Sequence, residues 1–283
     1  MSLRDLALVA GLALAPAAHA FDFNKLDLEK VQKAVSIGSK AVKASREISE
    51  AEEVEIGEGI TSRLLGTAPL VDNKALQAYV NRVGLWLALQ TDRPDLPWRF
   101  GVVDSDTVNA FATPGGTVLV TRGLYARLRN EGELAGVLAH EIAHVLQKHQ
   151  LRQIQKSLGA EWKMELVNAV AEDKGGDGAK TLAKAFSAGT ELFARGLDKQ
   201  DEHEADRLGV VIAARGGYSP YGLVGVLQTL GSLDAADSSV ALMFKTHPSP
   251  ASRLDLLADS MGERLDNHAG AVEKTKRFLP LAP

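Results

Sequence analysis

Two histidines four residues apart, with a glutamate directly after the first, stand in His140-Glu141-Ile142-Ala143-His144. On a helix, residues i and i+4 lie one turn apart on the same face, so the two imidazoles can grip a single cation. Glu141 can then reach a water on that cation and act as general base. A catalytic zinc usually takes a third protein ligand and keeps one position open. The best candidate lies in Asp201-Glu202-His203-Glu204-Ala205-Asp206. Glu202 and Asp206 share a helical face, so Glu202 can bind the metal while Asp206 accepts the ring N–H of a ligand histidine. Glu204 lies about 200° round the helix from Glu202, and His203 is also turned away, toward solvent. His149 and His268 read as structural or surface residues.

Several elements must position these groups. Asn130 with Glu133 reads as an N-cap and a variant capping box, and Leu134, Val137, Leu138, Val145 and Leu146 follow as a helical apolar stripe. Upstream, charged helical spacing is expected over Asn24–Arg46. A second helix is expected over Ser49–Leu65, its Glu50, Glu52, Glu53 and Glu55 at the positive end of the dipole and on the surface. Asp72 or Asn73 caps a helix running through Leu89. Trp98–Val103 reads as a strand. Phe111–Thr113 and Thr117–Thr121 flank the turn signal Pro114-Gly115-Gly116, which predicts an antiparallel hairpin. A short helix is expected at Tyr125–Arg129. Beyond the metal helix, helices are expected over Leu158–Ala171, Thr181–Gly196, Asp198–Arg215 and Tyr218–Leu233. A loop at Asp234–Ser239 and a short apolar segment lead to Thr246-His247-Pro248. Ser249 and Pro250 open a last helix to Met261, and the tail from Asn267 is expected to pack loosely.

The expected fold class is α+β and mainly helical, a zincin-like domain with a small antiparallel sheet. The chain of 283 residues is 45% hydrophobic and 24% charged, with a net charge of −4. That mild acidity argues against a nucleic-acid partner. Arg4, an uncharged run from Leu6 to Ala18 and Ala18-His19-Ala20 have the form of a secretory signal peptide cut after Ala20. The run is too short to span a bilayer. The chain has no cysteine, which excludes a lipobox cysteine, disulfides and a cysteine-based metal site. The expected organisation is a signal peptide at 1–20, a helical segment at 21–47, a metallopeptidase domain at 48–262 and a tail at 263–283, exported to the periplasm.

His140-Glu141-x-x-His144, Glu202-x-Glu204-Ala205-Asp206, the upstream Asn109-Ala110-Phe111-Ala112-x-Pro114-Gly115-Gly116 and the downstream Thr246-His247-Pro248 with Arg253 occur in one order. Together they resemble the HtpX and CAAX-prenyl-protease type of gluzincin metallopeptidases, most of all the secreted bacterial members of LoiP and BepA type. The resemblance covers roughly residues 48–262. It implies one zinc per chain, with His140, His144 and Glu202 as ligands and Glu141 as base. It further implies an endopeptidase acting on unfolded or misassembled envelope polypeptides, with outer-membrane assembly machinery as a partner. The chain departs from the pattern in lacking the membrane helices of HtpX, the helical repeats of BepA and the lipobox of LoiP-like lipoproteins.

Such an enzyme must hold its substrate extended, and an exposed strand does so through backbone hydrogen bonds. Thr117–Thr121 or the Asn109–Thr113 arm is the candidate edge, with Asn109, Ala110, Phe111, Gly116 and Thr117 as its site residues. His247 has two readings: it stabilises the developing oxyanion, or it occupies the open coordination position and keeps the enzyme latent. Arg253 would orient a carboxylate or the substrate carbonyl. The rival to an active protease is therefore a zinc-holding chaperone or assembly factor for envelope proteins.

Overall fold

In the computed structural model, which describes residues 48–158, 196–234, 236–265 and 277–281, the first described element is a capped helix. Ser49 accepts from the Glu52 N–H, and the Glu52 carboxylate returns to the Ser49 N–H at 2.7 Å, closing a capping box on α1 (Glu50–Thr67). Asn73 caps α2 (Lys74–Ala88) by accepting from the Leu76 N–H at 3.0 Å. The apolar face Leu76, Tyr79, Val80, Val83 and Leu87 is buried, as its spacing predicts. Strands β1 (Arg99–Val103), β2 (Ala110–Thr113) and β3 (Thr117–Thr121) form one sheet in the order β1-β3-β2.

The sheet is mixed, which corrects the antiparallel expectation. β2 and β3 make the antiparallel hairpin, whereas β1 runs parallel to β3. Every residue of Thr117–Thr121 is buried, so β3 takes the centre, where both faces and both edges are covered. The connection from β1 to β2 therefore passes over β3 instead of closing a local hairpin. The outer edge of β1 is sealed by side-chain amides of α2. Gln77 accepts from the Val102 N–H at 2.9 Å and donates to the Val71 and Val102 carbonyls, and Asn81 accepts from the Phe100 N–H.

Thr121 caps the short α3 (Arg122–Tyr125), which lies just before the expected Tyr125–Arg129. Next comes α4 (Glu131–Leu146), capped by Asn130. Glu133 does not complete the capping box; its carboxylate accepts from the Arg129 N–H at 2.7 Å, one residue before the cap. Fifteen of the sixteen residues of α4 are buried, so this helix is the centre of the domain. It is followed by α5 (His149–Leu158) and α6 (Lys199–Arg215), and α6 lies along α4. Then come α7 (Gly222–Gly231), α8 (Ser238–Thr246) and α9 (Pro250–Met261). α7 packs on α4, and α9 packs on α6 and α7. α8 makes the expected short apolar segment helical and takes in Ser238 and Ser239 from the end of the expected Asp234–Ser239 loop, with Asp237 accepting from the Ser239 N–H.

Two further expectations are corrected. Glu52 and Glu53 are buried at 4% and 1% exposure and do not lie on an acidic surface. Glu53 is paired with Arg93 at 2.9 Å and accepts from the Gly115 N–H at the hairpin tip. Gly115 has φ +78, and a Cβ there would meet the Val54 backbone at 2.5 Å, so the tip fits against α1 only with glycine. Residues 277–281 pack on the core where a loose tail was expected: the Phe278 ring stacks on Tyr125, and the Tyr125 hydroxyl donates to the Leu279 carbonyl at 2.6 Å. The leader, the Asn24–Arg46 helix and all but the end residues of the helices expected at Leu158–Ala171 and Thr181–Gly196 lie outside the described residues. Among the described residues, no helix is long and apolar enough to cross a membrane.

Candidate metal centre and active-site cleft

The burial of α4 puts His140, Glu141 and His144 at 4%, 5% and 2% exposure, within the domain rather than on its surface. The i,i+4 spacing brings the two Nε2 atoms to 3.1 Å. Helix α6 supplies Glu202, whose Oε2 lies 3.7 Å from His140 Nε2 and whose Oε1 lies 3.6 Å from His144 Nε2. The approach depends on Gly209. A Cβ there would stand 2.9 Å from both the Cα and the N of His140, so any larger residue would push α6 off the metal helix. His140, His144 and Glu202, each buried, form a cluster that could hold a metal ion.

The donor set fits a zinc ion. Glu202 is 1% exposed, yet its Oε2 has no hydrogen-bond partner. A buried, unpartnered carboxylate oxygen facing two imidazole nitrogens is costly without a cation. Burial, first, raises the Glu202 carboxyl above its ordinary range, against the pull of His140 and Arg253. Burial likewise lowers the pKa of His140 and His144 and favours the neutral form, in which an imidazole can bind a metal.

The outer support of His140 is a buried ion pair. His140 Nδ1–H donates to Asp206 Oδ1 at 3.0 Å, and Arg253 Nε donates to Asp206 Oδ2 at 2.8 Å. Arg253 Nη2 reaches Oδ1 in the same bidentate clasp. Burial alone would push the Asp206 carboxyl up; the Arg253 guanidinium and the His140 N–H more than reverse this and hold it well below the carboxylate range. Of the two roles expected for Arg253, the structure shows the orientation of a carboxylate. Its Nη1 is also 3.9 Å from Glu202 Oε2.

Beside these three groups opens a cleft of ≈ 40 Å³, lined by Asn109, Ala110, Phe111, Ala112, Glu141, His144, Gln150, Gly196, Leu197, Glu202, Thr246 and His247. A second, more apolar hollow of ≈ 40 Å³ adjoins it, walled by Val137, Leu223, Val226, Leu227, Leu230 and Met243 and again touching Glu141 and His247. Glu141 thus borders both. Burial, then the charge of Glu202, pushes its carboxyl up to about 8, with Arg253 pulling the other way. His247 Nε2 is 3.8 Å from Glu202 Oε2, and burial with the Arg253 charge keeps its ring neutral, down at about 4.

A profile of Peptidase family M48 matches residues 74–260, from the start of α2 to the end of α9. The chain belongs to peptidase family M48. Among similar proteins is the Beta-barrel assembly-enhancing protease of Escherichia coli (strain K12), 33% identical over 217 residues, covering 75% of this chain and 44% of that protein. The chain thus spans less than half the length of that relative. It is also 32% identical over 167 residues to the Mitochondrial metalloendopeptidase OMA1 of Arabidopsis thaliana, covering 58% of this chain and 32% of the other. Metalloprotease YcaL of Escherichia coli (strain K12) is 28% identical over 163 residues, covering 58% and 62%. Zinc is the metal of family M48, in keeping with the cluster of His140, His144 and Glu202.

Within this M48 domain the candidate substrate strand is resolved by topology. β3 is central and paired on both sides, so Thr117 offers no edge, and Gly116 sits against the Trp98 ring. Both are removed from the expected set. Among the described strands β2 is the outer one on the cleft side, and Asn109, Ala110 and Phe111 line the cleft with it. Asn109 is fixed by Thr121, whose hydroxyl accepts from the Asn109 N–H at 3.0 Å. His203, expected at the surface, is half-buried, with its Nδ1 enclosed.

Sequence reasoning missed His149, which is fully buried against His144. Five residues along a continuous helix is about 140° off face. The only signal lies in the left-handed backbone of Lys148, which spacing does not reveal.

Proposed function

We propose that this protein is a zinc-dependent endopeptidase that hydrolyses peptide bonds in unfolded or misassembled polypeptides of the cell envelope. The observation that carries the reading is the buried Glu202 Oε2, without a hydrogen-bond partner, beside the two Nε2 atoms, with Glu141 lining a cleft that β2 borders. His140, His144 and Glu202 would hold the metal. Zinc, when bound, polarises the scissile carbonyl and acidifies a water. Glu141 would serve as the general base, taking a proton from the attacking water and passing it to the leaving amine. For this it must be ionised, and a cation among the three ligands draws its carboxyl down from about 8. Asp206, clasped by Arg253, keeps the His140 proton on Nδ1 and leaves Nε2 for the metal.

The strand β2, from Ala110, is the proposed platform for an extended substrate, which would select unfolded chains over a sequence. The apolar hollow beside it suits one large aliphatic or aromatic substrate side chain. The leader pattern at residues 1–20 supports export to the periplasm. The relative named for β-barrel assembly supports a role beside the outer-membrane assembly machinery. The test is cleavage of an unfolded protein by the purified chain with and without a zinc chelator, beside Glu141→Gln. Chelator-sensitive cleavage absent from the variant supports the reading; cleavage surviving in the variant removes the assigned base.

One distance favours a second reading. His247 Nε2 lies 3.8 Å from Glu202 Oε2, close enough to the ligand cluster to fill a coordination position and hold the enzyme latent as an assembly factor. His247→Ala separates the two: a latent enzyme cleaves faster, and an enzyme relying on His247 for the oxyanion cleaves more slowly.

A further inference from the structure

The two ligand histidines are supported differently, and the support of His144 is unassigned. His140 leans on the Asp206–Arg253 ion pair. His144 Nδ1 lies 2.8 Å from Nδ1 of His149, a residue with no exposed surface. On the far side of that ring, His149 Nε2 is 3.3 Å from Glu204 Oε2 and 3.5 Å from Asp201 Oδ1. Asp201 is in turn held by Arg152 Nη2 at 2.9 Å.

We propose that His149 is the positioning residue of the metal centre on its His144 side, a neutral imidazole that does for His144 what Asp206 does for His140. The inference rests on His144 being a ligand through Nε2. A ligand imidazole bound through Nε2 carries its proton on Nδ1 and needs an acceptor for it. His149 Nδ1 is that acceptor. The His149 proton then sits on Nε2, where the Glu204 and Asp201 carboxylates face it. Each nitrogen in the chain thus has one role, ending on exposed or half-buried acids where charge is tolerated. A neutral acceptor holds His144 without adding a second buried anion next to Glu202.

The backbone is bent to make this contact. Lys148 is the one non-glycine residue at positive φ (+54) among the described residues. A residue with a side chain rarely adopts this conformation outside a helix end or turn. It ends α4 at Leu146 and turns the first residue of α5 back over His144. The turn is anchored from α1, since Lys148 Nζ lies 3.4 Å from Oε2 of the buried Glu53. A left-handed residue is a common way to end a helix, and here that turn is what carries His149 back against His144.

His149, Asp201 and Glu204 lie close enough together to suggest a second cation site. The Arg152 pairing of Asp201 and the donor role required of His149 Nε2 argue against it. The two ideas differ in stoichiometry.

The experiment measures zinc affinity of the full purified chain by competition with a chelator of known strength, and the visible spectrum of the cobalt-substituted protein. His149→Phe keeps the volume and removes the acceptor; His149→Asn offers Oδ1 to the same N–H. The Phe variant should bind zinc about 10- to 100-fold more weakly. The Asn variant should recover most of that loss and the wild-type cobalt spectrum. A purely structural role would lower the melting temperature without this rescue pattern. Zinc affinity unchanged in the Phe variant, or equally weak in both variants, overturns the proposal. So do two zinc ions per wild-type chain falling to one in His149→Asn. If the Phe variant does not fold, His149→Leu takes its place against His149→Asn. His140→Ala runs beside them: tight zinc binding that survives there defeats the ligand assignment itself, whatever His149 does.

Discussion

Replacing Arg253 by methionine in the metal-free protein tests whether the buried ion pair is structural support for the site. Arg253 and Asp206 are 5% and 1% exposed, so the change strips a desolvated carboxylate of its bidentate partner and leaves only the His140 N–H at 3.0 Å. Breaking a buried pair from one side costs about 3–5 kcal/mol. For a unit of this size that is a fall in melting temperature of roughly 6–20 °C. The sign with pH follows from the carboxyl. In the wild type its folded pKa is depressed, so its contribution is present above the unfolded value of about 3.9 and is lost only as pH falls through the lower folded value. In the variant, burial without the guanidinium raises the folded pKa, a penalty present at neutral pH and relieved as pH falls toward the unfolded value. The stability gap between the two proteins should therefore narrow from pH 8 to pH 5. Urea unfolding followed by circular dichroism at both pH values measures it. Asp206→Asn with Arg253→Met keeps an acceptor for His140 without the charge and should recover most of the loss. A gap below about 1 kcal/mol, or one that does not narrow with acid, would refute the reasoning.

Other outcomes follow from the same geometry. Glu141→Gln should retain zinc, measured by metal analysis, while turnover drops about 10²- to 10⁴-fold, the usual contribution of a general base. Gly209→Ala places a methyl 2.9 Å from the His140 backbone and should cost about 1–3 kcal/mol in chemical denaturation. Because it forces α6 from α4, it should also weaken zinc binding in chelator competition, whereas Gly66→Ala, with open space at its Cβ, should do neither. His247→Ala should change the cleavage rate with zinc content unchanged, faster for a latent enzyme and slower for an oxyanion stabiliser.

The sequence was most legible where function and local structure share one period. Asn130 and Ser249 were readable as caps, and Asp72 or Asn73 as a third, because a cap needs only its own side chain and the next turn; Ser49, expected inside its helix, proves to be a cap as well. His140, His144, Glu202 and Asp206 were readable because four-residue spacing on a helix is a local fact. That Glu202 meets the two histidines was an inference from resemblance, and in the structure the meeting depends on Gly209.

What only the tertiary structure decided are the relations between segments distant in sequence or turned by unusual backbone. The parallel pairing of β1 follows from which strand is buried on both faces, and it alone makes β2 the outer strand at the cleft. Glu53, acidic at a helix start, reads as surface until Arg93, Lys148 and the Gly115 N–H converge on it. His149 shares no helical face with His144 and reaches it only through the left-handed turn at Lys148. Residue types and spacing thus determined the chemistry available. Packing determined which of those groups lost water, and burial is what makes a carboxylate, an imidazole or a guanidinium need a particular partner.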